Sequence, residues 1–190
     1  MLNFLKRKTI FFIVFILFIT IGLFYYRYFF PISKTNLQCL KYEEIINKIN
    51  TNQPENWHEA EIFIIKNNNI YGTLTSMFLA KKYISENKLN EAFIQLDNSL
   101  KYTKEENLKN ILKLRIAKIK IQKKEHNAAM DILKSINNRN WINIIEQIKG
   151  DIFLNKKNKK LAIQHWKKSF SLETSNASKE IINMKINELK

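Results

Sequence analysis

Three histidines, His58, His126 and His165, and a single cysteine, Cys39, are the side chains with the most varied chemistry to offer. No two of the histidines have the close spacing of a shared metal site, and the cysteine is distant in sequence from all three. One cysteine excludes a disulfide framework and the common zinc modules. Cys39 reads as a small buried apolar residue, with an intermolecular bridge as the reactive alternative. The acidic pairs Glu43-Glu44 and Glu105-Glu106 are adjacent, so on helices their members point to different faces and cannot share acid–base work. Gly22, Gly72 and Gly150 stand alone, which leaves no loop to cradle a phosphate. No serine or threonine sits in a nucleophile elbow. The expectation is a non-enzymatic chain with no cofactor, no metal and no small-molecule substrate.

Binding chemistry is the remaining possibility. The 190 residues include 28 Lys but only 4 Arg against 17 acids, for a formal charge of +15. Nucleic-acid recognition leans on the bidentate arginine fork, which this chain lacks. Ile, Asn and Lys together supply 82 of the residues, a bias that matches A/T-rich codons. Trp57, Trp141 and Trp166 are dispersed at helical positions and read as packing residues rather than base-stacking platforms. The run Lys156-Lys157-Asn158-Lys159-Lys160 falls on a turn, where a solvated lysine-rich loop is the ordinary reading. No nucleic-acid partner is expected. A basic membrane protein binding nucleic acid or anionic lipid is the least favoured of three functional classes.

The elements that must position any binding surface are helices. Three Gly and two Pro make a doubly wound sheet or a β-sandwich untenable, and the class is all-α. From 10 to 24 every residue is apolar except Thr20 and Gly22, and two tyrosines follow. The stretch 9–26 would span about 27 Å as a helix, enough for a bilayer core. It exits into Tyr25-Tyr26-Arg27-Tyr28-Phe29-Phe30, a poor cleavage site but a good interfacial belt. The expected layout is a short cytoplasmic tail at 1–8, an uncleaved transmembrane helix at 9–26 and a juxtamembrane linker at 27–35. Lys6, Arg7 and Lys8 beside the apolar run orient the N-terminus inward and the domain at 36–190 outward.

Over 36–190, apolar residues recur every three to four positions and predict helices at 36–50, 55–67, 70–86, 89–102, 105–123, 126–136, 140–155, 159–171 and 176–189. Thr103, with Glu106 three residues on, predicts a capping box for the fifth of these. Ala80-x2-Tyr83 precedes Leu89-x2-Ala92-x3-Leu96. The frame returns at Ala117 with His126-x2-Ala129-x3-Leu133, and at Gly150 with Lys159-x2-Ala162-x3-Trp166. The steps of 37 and 33 residues bracket the 34 of a tetratricopeptide repeat. Small residues let two helices approach, and a large one a turn later fills the crevice. Repeats at about 73–103, 108–137 and 143–173, with a capping helix at 176–189, make a helical solenoid; a generic bundle is the alternative. The first helix of each unit would line a concave groove. That register assigns Met77, Lys81 and Ile84, then Leu114, Lys118 and Ile121, then Gln147, Asp151 and Leu154 to a partner-binding face.

A family resemblance rests on pieces standing in order: Tyr71-Gly72, Ala80, Asn87-Lys88-Leu89, Glu106-Asn107-Leu108-Lys109, Leu114-Arg115, Ala117, Trp141, Gly150 and Met184-Lys185-Ile186-Asn187. In these the chain resembles the YfgM-type ancillary subunit of the bacterial Sec translocon. The resemblance implies a single-pass protein of the cell inner membrane with a periplasmic helical domain. It implies the Sec translocon and a membrane-anchored periplasmic chaperone of the PpiD type as partners, with transfer of translocating polypeptides to periplasmic chaperones as the function. A tetratricopeptide adaptor of another cell-envelope assembly is the alternative.

Overall fold

The computed structural model describes residues 15–25, 34–51 and 53–189, and all regular structure among them is helical. The chain divides into two compact units, 1–43 and 44–190. In the first, 15–25 form a helix with exposed apolar side chains, Phe18 and Phe24 among them. No helix among the described residues is long and apolar enough to cross a membrane. The predicted span 9–26 lies outside the described residues at 9–14 and at 26, as do the tail 1–8 and the linker up to 33.

Nine labelled helices follow: α1 (Lys34–Asn50), α2 (Pro54–Lys66), α3 (Ile70–Ser85), α4 (Leu89–Tyr102), α5 (Glu106–Gln122), α6 (His126–Lys134), α7 (Ile142–Asn155), α8 (Lys159–Leu172) and α9 (Asn176–Asn187). They agree closely with those read from the periodicity. α1, α3, α5 and α7 begin at 34, 70, 106 and 142, a step of 36 throughout. The array therefore has a leading pair, α1 and α2, ahead of the three units legible in the sequence. Counted from the helix ends, Ile45 and Trp57 occupy the places where the other pairs have two small residues. Both are buried, so bulk replaces close approach there.

In the other three pairs the small residues do as their size requires. Ala80, Ala92, Ala117, Ala129 and Ala162 are fully buried, and Leu96, Leu133 and Trp166 fill the crevices beside them. One core cluster joins Leu114, Ala117 and Ile121 of α5 to Ala129 and Leu133 of α6 and to Ile145, Ile148 and Ile152 of α7. A second joins Ala162 and Trp166 of α8 to Ile182 and Ile186 of α9, which covers the last pair as a solenoid cap must.

The turns inside these three pairs share one construction. Asn87, Lys124 and Lys157 have φ near +60°, the left-handed region. The next residue's N–H then reaches back to a carbonyl of the preceding helix: Lys88 to Tyr83, Glu125 to Lys120 and Asn158 to Phe153, at 2.8–2.9 Å. This is the Schellman closure, here made by Asn and Lys where glycine would be least strained.

The helix beginning at Glu106 is capped differently from the expectation. Glu105 is the N-cap, its carboxylate accepting the N–H groups of Asn107 and Leu108. Thr103 is instead the C-cap of α4, with its hydroxyl donating to Ser99 O at 2.7 Å. An ionised oxygen near a helix N-terminus out-competes a neutral hydroxyl that already has a backbone acceptor.

Candidate functional site

The face assigned from the repeat register is divided by the packing. Met77, Leu114 and Ile121 are buried, and Leu114 and Ile121 belong to the core cluster between α5, α6 and α7. Ile84, Gln147, Asp151 and Leu154 are half-buried, while Lys81 and Lys118 are exposed.

Four of these nine residues come together in one place. Lys118 and Ile121 of α5 and Asp151 and Leu154 of α7 line a cleft of about 450 Å³, with Gln122, Asn155, Trp166, Lys185 and Glu188 completing its wall. Met77, Lys81, Ile84, Leu114 and Gln147 are not part of its lining. The register finds the inner face of α5 and α7 but misses Trp166, Lys185 and Glu188. Trp166 lies on the second helix of its pair, and the other two come from α9 and its end. The sequence signal for this wall was the three-residue spacing of Lys185 and Glu188 on the cap.

Asp151 organises the cleft. Its Oδ1 accepts the Trp166 Nε1 proton at 3.1 Å and a Lys185 Nζ proton at 2.8 Å. Trp166 Nε1 is shared with the Gln147 carbonyl at 3.1 Å, and Lys185 sits over the indole with Nζ 5.4 Å from the ring centroid. The carboxylate is thus neutralised by the cap helix and holds the indole edge in place. What remains is an apolar floor of Ile121, Leu154 and Trp166 with polar groups around it, a surface suited to a partner side chain.

The same pair of helices carries the most enclosed ionic cluster among the described residues. Glu146 of α7 is buried, its carboxylate meeting His165 Nδ1 at 2.6 Å, Lys149 Nζ at 2.9 Å and Lys168 Nζ at 3.3 Å. Burial opposes its ionisation, but the hydrogen bonds from His165 and Lys149 and the nearby Lys168 win, holding the carboxyl below its usual range. The His165 ring stacks on Phe153 with centroids 5.0 Å apart. These contacts lock α7 to α8. Among the described residues no group of three or more His, Cys, Asp or Glu could hold a metal.

On the opposite edge, Asn69, Thr73, Tyr102, Thr103 and Glu105 contribute with Ile70 and Leu108 to a smaller cleft of about 310 Å³. Asn69 caps α3 there, and a Cβ on Gly72 would collide with the Asn67 carbonyl, so glycine permits this tight entry.

Comparison with known proteins places these features in context. A family model described as a tetratricopeptide repeat-like domain matches residues 5–190. The chain is 61% identical over 190 residues to a protein named ancillary SecYEG translocon subunit from Buchnera aphidicola subsp. Acyrthosiphon pisum (strain APS), covering 100% of this chain and 98% of the relative. A protein of the same name from Buchnera aphidicola subsp. Schizaphis graminum (strain Sg) is 60% identical over 158 residues, 83% of this chain and 81% of the relative. Another of that name from Escherichia coli (strain K12) is 33% identical over 150 residues, 79% of this chain and 73% of the relative. No solved structure matches the chain.

Proposed function

This chain belongs to the family of ancillary SecYEG translocon subunits, and from that membership we propose that it serves beside the Sec translocon as a non-enzymatic protein-binding subunit. The full-length relationship to a protein of that name is the observation that carries the reading. In this reading 9–26 is an uncleaved single-pass anchor in the inner membrane, 1–8 are cytoplasmic and 36–190 form a periplasmic domain. The domain helps transfer emerging polypeptides to periplasmic chaperones, with a membrane-anchored chaperone of the PpiD type as a second partner. Of the inner face read from the register, Lys118, Ile121, Asp151 and Leu154 form the binding groove, at the cleft between α5 and α7. The apolar floor of the cleft at Ile121, Leu154 and Trp166 supports its use for a partner side chain.

A photo-crosslinking residue at Gln122 or Asn155, both exposed on the cleft wall, tests this without disturbing the core. The expected products in intact membranes are adducts with a translocon subunit or a periplasmic chaperone, absent when the probe sits at exposed Asp131. Equal yields from the cleft and from Asp131 would move the interface away from the groove. Protease added to spheroplasts should digest the domain, and full protection would overturn its periplasmic placement.

A further inference from the structure

The turns inside the helix pairs are stacked side by side, and lysines make each connection. Lys88, in the α3–α4 turn, lies over the Trp57 ring in the first turns of α2, 5.2 Å from its centroid. Lys120 and Lys123, at the α5–α6 turn, lie over Phe93 near the start of α4, at 4.4 and 5.8 Å. Lys156, in the α7–α8 turn, donates to Asn127 Oδ1 at the start of α6 at 3.0 Å. Each turn therefore rests on the beginning of the preceding pair's second helix, and together they form one continuous edge.

This edge is basic beyond what its own contacts consume. Lys120 and Lys123 share Glu125, which leaves one charge over. Lys124, Lys157, Lys159 and Lys160 are exposed, with no carboxylate partner among the described residues, and Lys156 has only a neutral amide. The acids set against them are Glu86 and Glu91 at the first of the three turns and Glu188, which lines the cleft beside Gln122 and Asn155, so lysines still outnumber acids at the third turn. On the opposite edge Lys104 and Arg139 stand beside Glu105 and Glu173, whose carboxylates accept backbone N–H groups.

We propose that this edge docks on the anionic phospholipid headgroups of a bilayer. Lysines are point charges on flexible stems, suited to a diffuse field of lipid phosphates rather than to a specific planar acceptor. A surface for single-stranded nucleic acid would pair its cations with exposed aromatic platforms, whereas Trp57 is buried and Phe93 is covered by two lysines. The chain also carries a helix of exposed apolar residues at 15–25, consistent with a protein that meets a membrane. Each lysine within a Debye length of such a surface strengthens association about fivefold.

The test uses the full chain reconstituted in vesicles of phosphatidylcholine, with and without phosphatidylglycerol. An amine-reactive reagent is added on the side where the domain lies, and labelling is read peptide by peptide. Lys124, Lys157, Lys159 and Lys160 should be labelled severalfold less on phosphatidylglycerol vesicles than on neutral ones. High salt should restore the labelling, while Lys101 and Lys134 should not change. Changing the four lysines to glutamate should also remove the protection of Lys88 and Lys156. Equal labelling on the two vesicle types, or equal protection of Lys101 and Lys134, would overturn the proposal. Stronger protection by a short single-stranded RNA on neutral vesicles would overturn it in favour of a nucleic-acid surface.

Discussion

Gly150 of α7 faces the indole of Trp166 in α8 so closely that a Cβ on the glycine would overlap the ring at Cδ1 and Nε1. The indole cannot retreat, because Trp166 is buried, its Nε1 is held by Gln147 and Asp151, and Ile182 and Ile186 cover it. Gly150→Ala should therefore destabilise the domain by about 1–3 kcal/mol despite alanine's better helix propensity. Urea unfolding followed by Trp fluorescence reads this directly. An unchanged midpoint would mean that α8 can shift away.

Asn110 is a defect at a position its neighbours solve. Seven residues before Ala80, Ala117 and Gly150 stand Thr73, Asn110 and Asn143. Thr73 meets Thr103 at 3.2 Å, and Asn143 donates to Glu173 at 2.8 Å, each partner thirty residues on. In the middle unit α6 ends at Lys134, and residue 140 lies exposed in a 3-10 turn, Arg139–Trp141. The Asn110 amide is buried and meets no hydrogen-bonding group among the described residues. Asn110→Thr can copy Thr73, whose hydroxyl donates to the carbonyl four residues back at 3.1 Å. The expected result is stabilisation by about 1 kcal/mol in the same unfolding assay.

Lys124 and Lys157 carry the left-handed turn without the freedom of glycine. Each Lys→Gly change should stabilise by about 0.5–1 kcal/mol, since relief of the Cβ clash exceeds the added chain entropy. Asn87→Gly should gain less, because asparagine tolerates this region better. Thermal melts of the three single variants give the order.

Acid should release the α7–α8 lock. The carboxyl of Glu146 is held below its usual range when folded, so its contribution is fully present above the ordinary glutamate value. It is lost as pH falls through the lowered one, because the unfolded chain then binds the proton more readily. Glu146→Gln should cost about 1–3 kcal/mol at neutral pH, and the gap to the parent chain should narrow as pH falls below the ordinary glutamate range. A pH series of urea midpoints decides it, and a gap that persists into acid would assign the effect to packing.

The helices and their pairing in three units were open to reading because both signals are local. Apolar residues at helical spacing appear in any short window, and Ala80, Ala117 and Gly150 each precede their partner small residue by twelve positions. The leading pair escaped the same reading because Ile45 and Trp57 hold its equivalent places with bulk, which leaves no small-residue frame to detect. Thr103 misled for a related reason. A hydroxyl can serve the helix before it or the one after it, and only the approach of Thr73 and the carbonyl of Ser99 decides between them.

Composition and periodicity by themselves determined an all-α class, poor in arginine, whose paired helices repeat at tetratricopeptide spacing. Only the tertiary structure decided which residues on the inner face stay available. Leu114 shares a helix face with Lys118, yet it is drawn into the core against α6 and α7 while the lysine remains exposed. It likewise brought Trp166 and Lys185 to Asp151, and set the lysines of successive turns along one edge. Periodicity along one helix says which residues share a face. How much of that face a neighbouring helix covers depends on contacts thirty or more residues away, and no local pattern encodes them.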